Sequence, residues 1–343
     1  MPIEAAYYTG NRTFSVESVS EPRPGPGEVQ MDTAYCGICG TDLHIYLGDL
    51  DQRVGARRVI GHEMSGVISE LGDGVSGWSI GDRVVMRPLV PCGRCPACER
   101  GYQHVCQNLQ VVGVDLDGAF QNRCVVPAYT LHRLPDAVSL EHAALIEPVA
   151  VACHDIKRGR LVAGEDALVI GGGPIGILVA LVAKAAGATV TVSEINPHRI
   201  AIAEKLGIAC LNPKEVDVAQ SIVSATGGKG ADVVFEVSGT QPGADLMTQA
   251  AAVRGRIVMV AIYAGKAQVD LHRFFAAEIE MLGARVYEPD DYERAIELVA
   301  SGGIDADTFI TDVQPLANIS DAFADLTGSP KGMKTLIRCG MVD

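Results

Sequence analysis

Four cysteines crowd one short stretch, VPCGRCPACERGYQHVC. Cys92, Cys95, Cys98 and Cys106 follow the spacing C-x2-C-x2-C-x7-C in a loop rich in glycine and proline. Four thiolates so placed can surround one tetrahedral Zn²⁺. Ferredoxin-type iron–sulfur runs also open with C-x2-C-x2-C, but they continue with a shorter gap and Cys-Pro. Here seven residues intervene and Gln107 follows Cys106, which favours zinc. A closed four-thiolate shell leaves no open position for substrate, so a metal held there is structural. Two other segments carry possible donors: Cys36-Gly37-Ile38-Cys39-Gly40-Thr41-Asp42-Leu43-His44 and Gly61-His62-Glu63. A lone His-Glu pair is ordinarily structural, and these segments acquire a role only from wider context.

A third constellation is glycine-rich. Gly171-Gly172-Gly173-Pro174-Ile175-Gly176 contains G-x-G-x-x-G at 171, 173 and 176. The pattern is weak alone, but here it follows an expected strand and opens an expected helix, the context that gives it meaning. The first glycine permits a tight turn, the second lets backbone approach a pyrophosphate, and the third lets helix and strand pack closely. The free N–H groups of the helix start suit phosphates, and Pro174 fits there because its missing N–H would be unpaired anyway. Glu194 ends the next expected strand at roughly the 20-residue distance of the ribose-binding acid. A carboxylate there accepts from both ribose hydroxyls and repels a 2′-phosphate, which favours NAD over NADP. Arg199 is placed to stack on the adenine; an arginine reaching a phosphate instead would readmit NADP.

These residues need elements to position them. Residues 1 to about 150 read as short apolar runs separated by turn residues, among them 67–71, 83–88 and 124–127, which suggests a barrel-like or irregular β domain. After Glu147-Pro148 the texture changes. Strands are expected over 167–171, 189–193, 232–237 and 256–261, with helices over 175–186, 198–206 and 244–252 between them. Alternating strands and helices give a parallel, doubly wound sheet. The tail returns to a helix over 292–301 and a strand over 335–339.

The bulk composition fits a small-molecule enzyme. At 343 residues two domains are expected, and 48% hydrophobic with 20% charged residues is ordinary for a globular chain. A net charge of −14 repels nucleic acid and anionic membrane. The most apolar run, 177–186, holds Lys184 and reads as a buried helix rather than a membrane span. The opening MPIEAAYYTG lacks the basic and apolar regions of a secretory signal. With ten cysteines expected as reduced thiols, a cytoplasmic location follows.

GICGTDLH, GHEMSG, GDRV, the four-cysteine loop, EPVAV and GGGPIG occur together in this order, and in this the chain resembles the zinc-containing medium-chain dehydrogenases along essentially its whole length. That resemblance implies a GroES-like β-rich catalytic domain (1–149 and 286–343), a Rossmann NAD-binding domain (150–285), and an active site in the cleft between them. It implies two zinc ions per chain, one structural and one catalytic. The ligand cysteine in the family directly precedes a small residue and a hydroxyl residue, which matches Cys39 rather than Cys36. His62 and Glu63 match the next ligand positions, and Glu147 matches an acid that coordinates directly or through water. Thr41 matches the hydroxyl that hydrogen-bonds the substrate oxygen. His44 resembles the histidine at the outer end of a proton path through the nicotinamide ribose. His154 is expected beside the site or in the core.

The branch signals are mixed. TDLHIY resembles threonine dehydrogenases, EPVAVACH resembles sorbitol-type polyol dehydrogenases, and GADVVFEVSGTQP resembles butanediol dehydrogenases. The implied reaction is NAD-linked oxidation of a secondary alcohol on a polyol, vicinal diol or sugar-derived substrate, with threonine and butanediol as alternatives. A zinc-free quinone reductase is disfavoured by the Cys39, His62, Glu63 and Glu147 set. A zinc- and nucleotide-binding redox sensor would predict one zinc and no alcohol-dependent NADH. The resemblance also implies a homo-tetramer, or a dimer, pairing through the nucleotide-domain sheet.

Overall fold

The computed structural model describes residues 3–328 and 331–340. The chain divides into two compact units, Met1–Glu147 with Ile310–Asp343, and Pro148–Phe309.

The first unit is built around the strand Glu28–Gly37 (EVQMDTAYCG), which is buried along most of its length and sends Val29, Met31 and Cys36 into an apolar core. It pairs antiparallel with Glu63–Leu71 on one side and with Lys334–Arg338 on the other, and Arg123–Pro127 also joins it. The sheet has seven strands, and a separate three-stranded sheet contains Ile3–Tyr8. Phe14, Tyr46, Phe120 and Phe323 pack their rings within 6 Å of one another along the chain of contacts Phe14–Tyr46, Phe14–Phe323 and Phe120–Phe323. The short β-rich elements expected before residue 150 are present, and the C-terminal strand expected near 335–339 is observed at Lys334–Arg338.

The second unit holds a six-stranded parallel sheet in the order Ala209–Leu211, Thr189–Ser193, Asp166–Ile170, Ala231–Glu236, Ala251–Met259, Glu280–Gly283. Numbered within the unit this is 3-2-1-4-5-6, the doubly wound dinucleotide-binding order. The strand Asp166–Ile170 is apolar on both faces, as a strand covered by helices on both sides must be. The helix Pro174–Ala185 buries an unbroken run from Gly176 to Ala183, which explains why its sequence is apolar without being a membrane span. Among the described residues, no helix is long and apolar enough to cross a membrane.

One boundary differs from expectation. Residues 286–309 belong with the nucleotide-binding unit, not with the catalytic one. The helix Pro289–Ala300 buries Tyr292, Ala295, Ile296, Leu298 and Val299. Its first turn supplies Asp291, whose carboxylate lies 2.8 Å from His154 Nδ1. Both groups are almost fully buried, and burying a charge without a partner is costly, so this pair ties the segment to the helix that carries His154.

Candidate active site and metal centres

The four-cysteine loop folds into its own small cluster. Cys95 caps a short helix, Pro96–Glu99, and Cys106 follows a single helical turn at Gln103–Val105. Cys95 Sγ lies 3.5 Å from Cys98 Sγ and 3.7 Å from Cys106 Sγ, and Cys106 Sγ is 3.5 Å from Cys92 Sγ. Four sulfurs each about 2.3 Å from one zinc ion stand about 3.8 Å apart, so the cluster has the dimensions of a tetrahedral zinc site. Backbone N–H groups point at the sulfurs: Cys92 N and Asn108 N donate to Cys106 Sγ, and Gln107 N to Cys95 Sγ. Backbone donors from Cys98 and Gln107 pull the Cys95 thiol down to about 6, whereas burial and its neighbouring cysteines push Cys98 up to about 12.

The second cluster is assembled from distant segments. Ligand atoms of Cys39, His62 and Glu63 lie within 4.8 Å of one another. Cys39 occupies the N-cap of the helix Gly40–Leu47, and Asp42 in that first turn accepts from Cys39 N at 2.9 Å. The other Asp42 oxygen sits 3.5 Å from His62 Nδ1. Burial opposes a charged imidazole at His62, but the attraction of Asp42 and Cys39 overcomes it and raises its pKa well above the usual histidine value. Asp42 Oδ1 and His62 Nδ1 are buried without a well-formed hydrogen bond. That combination of sulfur, imidazole and carboxylate donors fits zinc.

Glu63 lies directly opposite Gly37 in the sheet, and a Cβ at position 37 would fall 2.0 Å from Glu63 Oε2. The glycine leaves the hollow in which the carboxylate rests. Lys334, on the strand across Gly37, forms an ion pair with Glu63 and donates to Ile38 O at 3.0 Å. Burial opposes the Lys334 charge, yet Glu63 and then Cys39 hold its pKa above the usual lysine value. Glu147, buried near the start of the helix Ile146–Gly159, stands outside the three-ligand group but is close enough to attract the same ammonium.

Of the other residues singled out, Thr41 is half-buried in the first turn after Cys39, while His44 is exposed, its Nδ1 2.8 Å from Asp49 Oδ2. Cys36 is fully buried in the core, where burial raises its thiol pKa. His154 belongs to a cluster with Glu288 and Asp291 in which the Lys157 ammonium, 2.7 Å from Glu288, already supplies the cation.

The glycine turn has its expected form. Gly171 takes φ +101°, and a Cβ on Gly176 would lie 1.8 Å from Gly171 O, so helix and strand meet at a distance only glycine allows. The helix starts at Pro174 with no side-chain cap, leaving its first N–H groups for a ligand. Glu194 is buried at the end of Thr189–Ser193 and accepts from Gly172 N at 2.8 Å, Ile195 N at 2.6 Å and Asn196 N at 2.7 Å. Arg199 Nη1 lies 3.9 Å from Glu194, and a Cβ on Gly173 would be 3.5 Å from it, while its buried Nε has no partner.

Sequence reasoning missed two residues set against the Cys39, His62 and Glu63 group. Asp42 carried a signal, since an acid three residues after an N-cap closes a capping box. Lys334 carried none: it is 296 residues from its Ile38 partner and opens an otherwise ordinary strand.

Residues 25–136 match the alcohol dehydrogenase GroES-like domain, and residues 174–301 match the zinc-binding dehydrogenase domain. The chain is 54% identical over 98% of its length, and 98% of the relative's, to 2-dehydro-3-deoxy-L-galactonate 5-dehydrogenase of Pseudoalteromonas atlantica. Among solved structures it resembles 2R,3R-butanediol dehydrogenase of Bacillus subtilis (TM-score 0.91, 32% identity, 98% of this chain and 99% of that one). It also resembles a zinc-binding dehydrogenase of Sinorhizobium meliloti solved with NADP (TM-score 0.92, 29% identity, 98% and 99% covered). The chain belongs to the zinc-dependent alcohol dehydrogenase family, with a GroES-like and a Rossmann part. It is an enzyme that oxidises a secondary alcohol, and it uses zinc and a nicotinamide cofactor.

Proposed function

We propose that this enzyme oxidises the C5 hydroxyl of a 3-deoxy-2-keto sugar acid, 2-dehydro-3-deoxy-L-galactonate or a close isomer, with NAD as acceptor. The 54% identity spanning 98% of both chains carries this reading, because it covers the ligand segments, the nucleotide turn and the loops between them. Other polyols, diols and L-threonine are the competing substrates.

The chain binds two zinc ions in this reading. Cys92, Cys95, Cys98 and Cys106 hold the structural one. Cys39 and His62, with Glu63 and Glu147 as exchanging carboxylate partners, hold the catalytic one. The catalytic zinc, when bound, acts as a Lewis acid toward the substrate hydroxyl. Asp42 orients His62 through its Nδ1, in the manner of carboxylates that support metal-binding imidazoles. The Thr41 hydroxyl takes up the proton of the substrate hydroxyl as it hands its own on toward His44. His44, exposed and beside Asp49, passes that proton to solvent. Gly171, Gly173, Pro174, Ile175 and Gly176 offer backbone to the pyrophosphate, Glu194 takes the ribose hydroxyls, and Arg199 lies against the adenine. A nicotinamide bound there would supply the acceptor for the carbinol hydride.

The Glu194 carboxylate supports NAD over NADP, since a 2′-phosphate would meet its negative charge. A homo-tetramer or dimer is supported by the edge position of Glu280–Gly283 and by exposed Met281, Leu271 and Phe275. Ten free thiols suit the reducing cytoplasm.

The test is a screen for NADH absorbance over 3-deoxy-2-keto sugar acids, polyols, diols and L-threonine. The highest kcat/KM is expected on the sugar acid, and a polyol or threonine turning over faster refutes the substrate assignment. In the same assay Glu194→Ala raises KM for NAD about tenfold more than KM for NADP, the loss of roughly one charged hydrogen-bonded contact. An unchanged preference removes the ribose role.

A further inference from the structure

The buried lysine at the metal site is unexplained by ligation alone. Lys334 is 4% exposed, and its ammonium touches one oxygen of Glu63, Oε2. It is also fixed to the protein: it donates to Ile38 O at 3.0 Å, in the residue preceding the ligand Cys39. The strands enforce the arrangement. Leu336 pairs with Gly37, Ile38 N donates to Thr335 O at 3.0 Å, and Glu63 pairs with Gly37 from the other side. The absent side chain at Gly37 is where Glu63 Oε2 and Lys334 Cε meet, at 2.0 and 2.9 Å from the position a Cβ would take. Neither group can turn outward, because both are buried and each neutralises the other.

The charges around the cluster explain why a lysine is tolerated. Asp42, Glu63 and Glu147 are carboxylates, Cys39 ligates as a thiolate, and Lys334 is attracted by Glu63, Cys39 and Glu147. A carboxylate whose lone pairs are partly committed to an ammonium is a weaker donor to a metal than a bare one. A carboxylate freed from that ammonium, in a buried site beside a divalent cation, has only the metal to neutralise it.

We propose that Lys334 is a positioning residue that shares the Glu63 carboxylate with the catalytic metal, keeping Glu63 an exchangeable ligand rather than a permanent one. The inference rests on the metal-site reading given above. Its anchor at Ile38 fixes the ammonium while Glu63 swings, so the competition is set by geometry rather than by the lysine following its partner. Gly37 is part of the device, since any side chain there would force the pair apart.

The test uses the full-length protein loaded with Co²⁺, whose visible bands weaken as its coordination number rises. Wild type is compared with Lys334→Met, Lys334→Arg, Glu63→Gln and the double variant Glu63→Gln/Lys334→Met. Lys334→Met releases Glu63 to the metal: the bands weaken, metal release to a chelator slows by on the order of tenfold, and kcat falls by a similar factor. Lys334→Arg acts in the opposite sense. A guanidinium can take both carboxylate oxygens, so Glu63 is drawn off the metal, the bands strengthen and release quickens. In the Glu63→Gln background, Lys334→Met leaves the bands and the release rate within about twofold, as expected for an effect carried by one pair.

A general structural role would shift Met and Arg variants in the same direction, and a bulk charge effect would slow release equally in both backgrounds; either result overturns the proposal. Unchanged spectra in both single variants also overturn it. Should Lys334→Met fail to fold around a bare carboxylate, the Arg variant and the charge-free double variant still decide. Wild type taking up a single metal, held by the four cysteines, would instead refute the catalytic-site reading itself.

Discussion

The two groups of candidate metal ligands in the same unit are built in opposite ways. The four-cysteine site spans fifteen consecutive residues and draws its sulfur-directed N–H groups from the same loop. The Cys39 group draws one donor from a helix N-cap, one from the residue before the strand Glu63–Leu71 and one from that strand's first residue, with Lys334 from the last strand. The local site is saturated with sulfur and has no exchangeable position. The dispersed cluster mixes thiol, imidazole and carboxylate, with Asp42 beside the imidazole and Lys334 on the carboxylate. A loop can hold a closed shell because nothing needs to enter it, whereas an open shell requires rigid elements to keep donors apart and poised.

The contrast can be broken most sharply at Cys39. Cys39→Ser is expected to lower kcat by about a thousandfold or more, the several kcal/mol a catalytic metal supplies. Zinc analysis should fall from two to one per chain with thermal stability little changed. A variant that keeps two zinc ions and its activity would dissolve the distinction between the sites.

The converse change is Cys95→Ser. It should remove the other zinc and cost roughly 3 kcal/mol, on the order of a 10 °C fall in Tm, because a structural metal contributes folding energy directly. The molecules that remain folded should keep their turnover per catalytic zinc. A variant with full stability but no turnover would reverse the roles of the two clusters.

Asp42→Asn is a smaller perturbation of the dispersed site. It weakens the partner of His62 Nδ1, and a drop of about 10- to 100-fold in kcat or in metal affinity is expected. The four-cysteine site should be untouched, which differential metal release to a chelator would reveal.

The smallest effect separates two thiols within the local cluster. Cys95 is pulled down to about 6 by backbone donors, and Cys98 is pushed up to about 12 chiefly by burial. At pH 7 Cys95 is therefore mainly thiolate and Cys98 mainly thiol in the metal-free chain. Since the thiolate is the nucleophile, iodoacetamide should modify Cys95 more than about tenfold faster than Cys98. Lowering the pH through 6 should slow Cys95 as its thiolate is protonated, and equal rates at pH 7 would contradict the backbone donors.

Legibility in the sequence followed the same division between local and dispersed. The glycine turn, the alternation of strands and helices after Pro148, and the cysteine spacing are all set by near neighbours, and each appears where it was expected. A helix was expected near Pro289–Ala300 too, but it packs with the nucleotide-binding unit, through contacts such as Asp291 meeting His154 across 137 residues. Within the dispersed site, family resemblance pointed to Cys39, His62 and Glu63, while Asp42 was visible only as a capping acid. Glu147 was expected among the ligands, yet it stands outside the group of three.

The sequence by itself determined the chemistry available: which residues can hold zinc, where a dinucleotide's phosphates can rest, and that a parallel doubly wound sheet carries the turn. Those depend on residue type, short spacing and periodicity. Only the tertiary structure decided how the donors are charged and held. It placed Lys334 on Glu63 across the gap left by Gly37, aligned Asp42 with His62, and assigned residues 286–309 to the nucleotide unit. The reason is that burial and Coulomb attraction act through space, and strand pairing brings together residues whose separation along the chain gives no sign that they will meet.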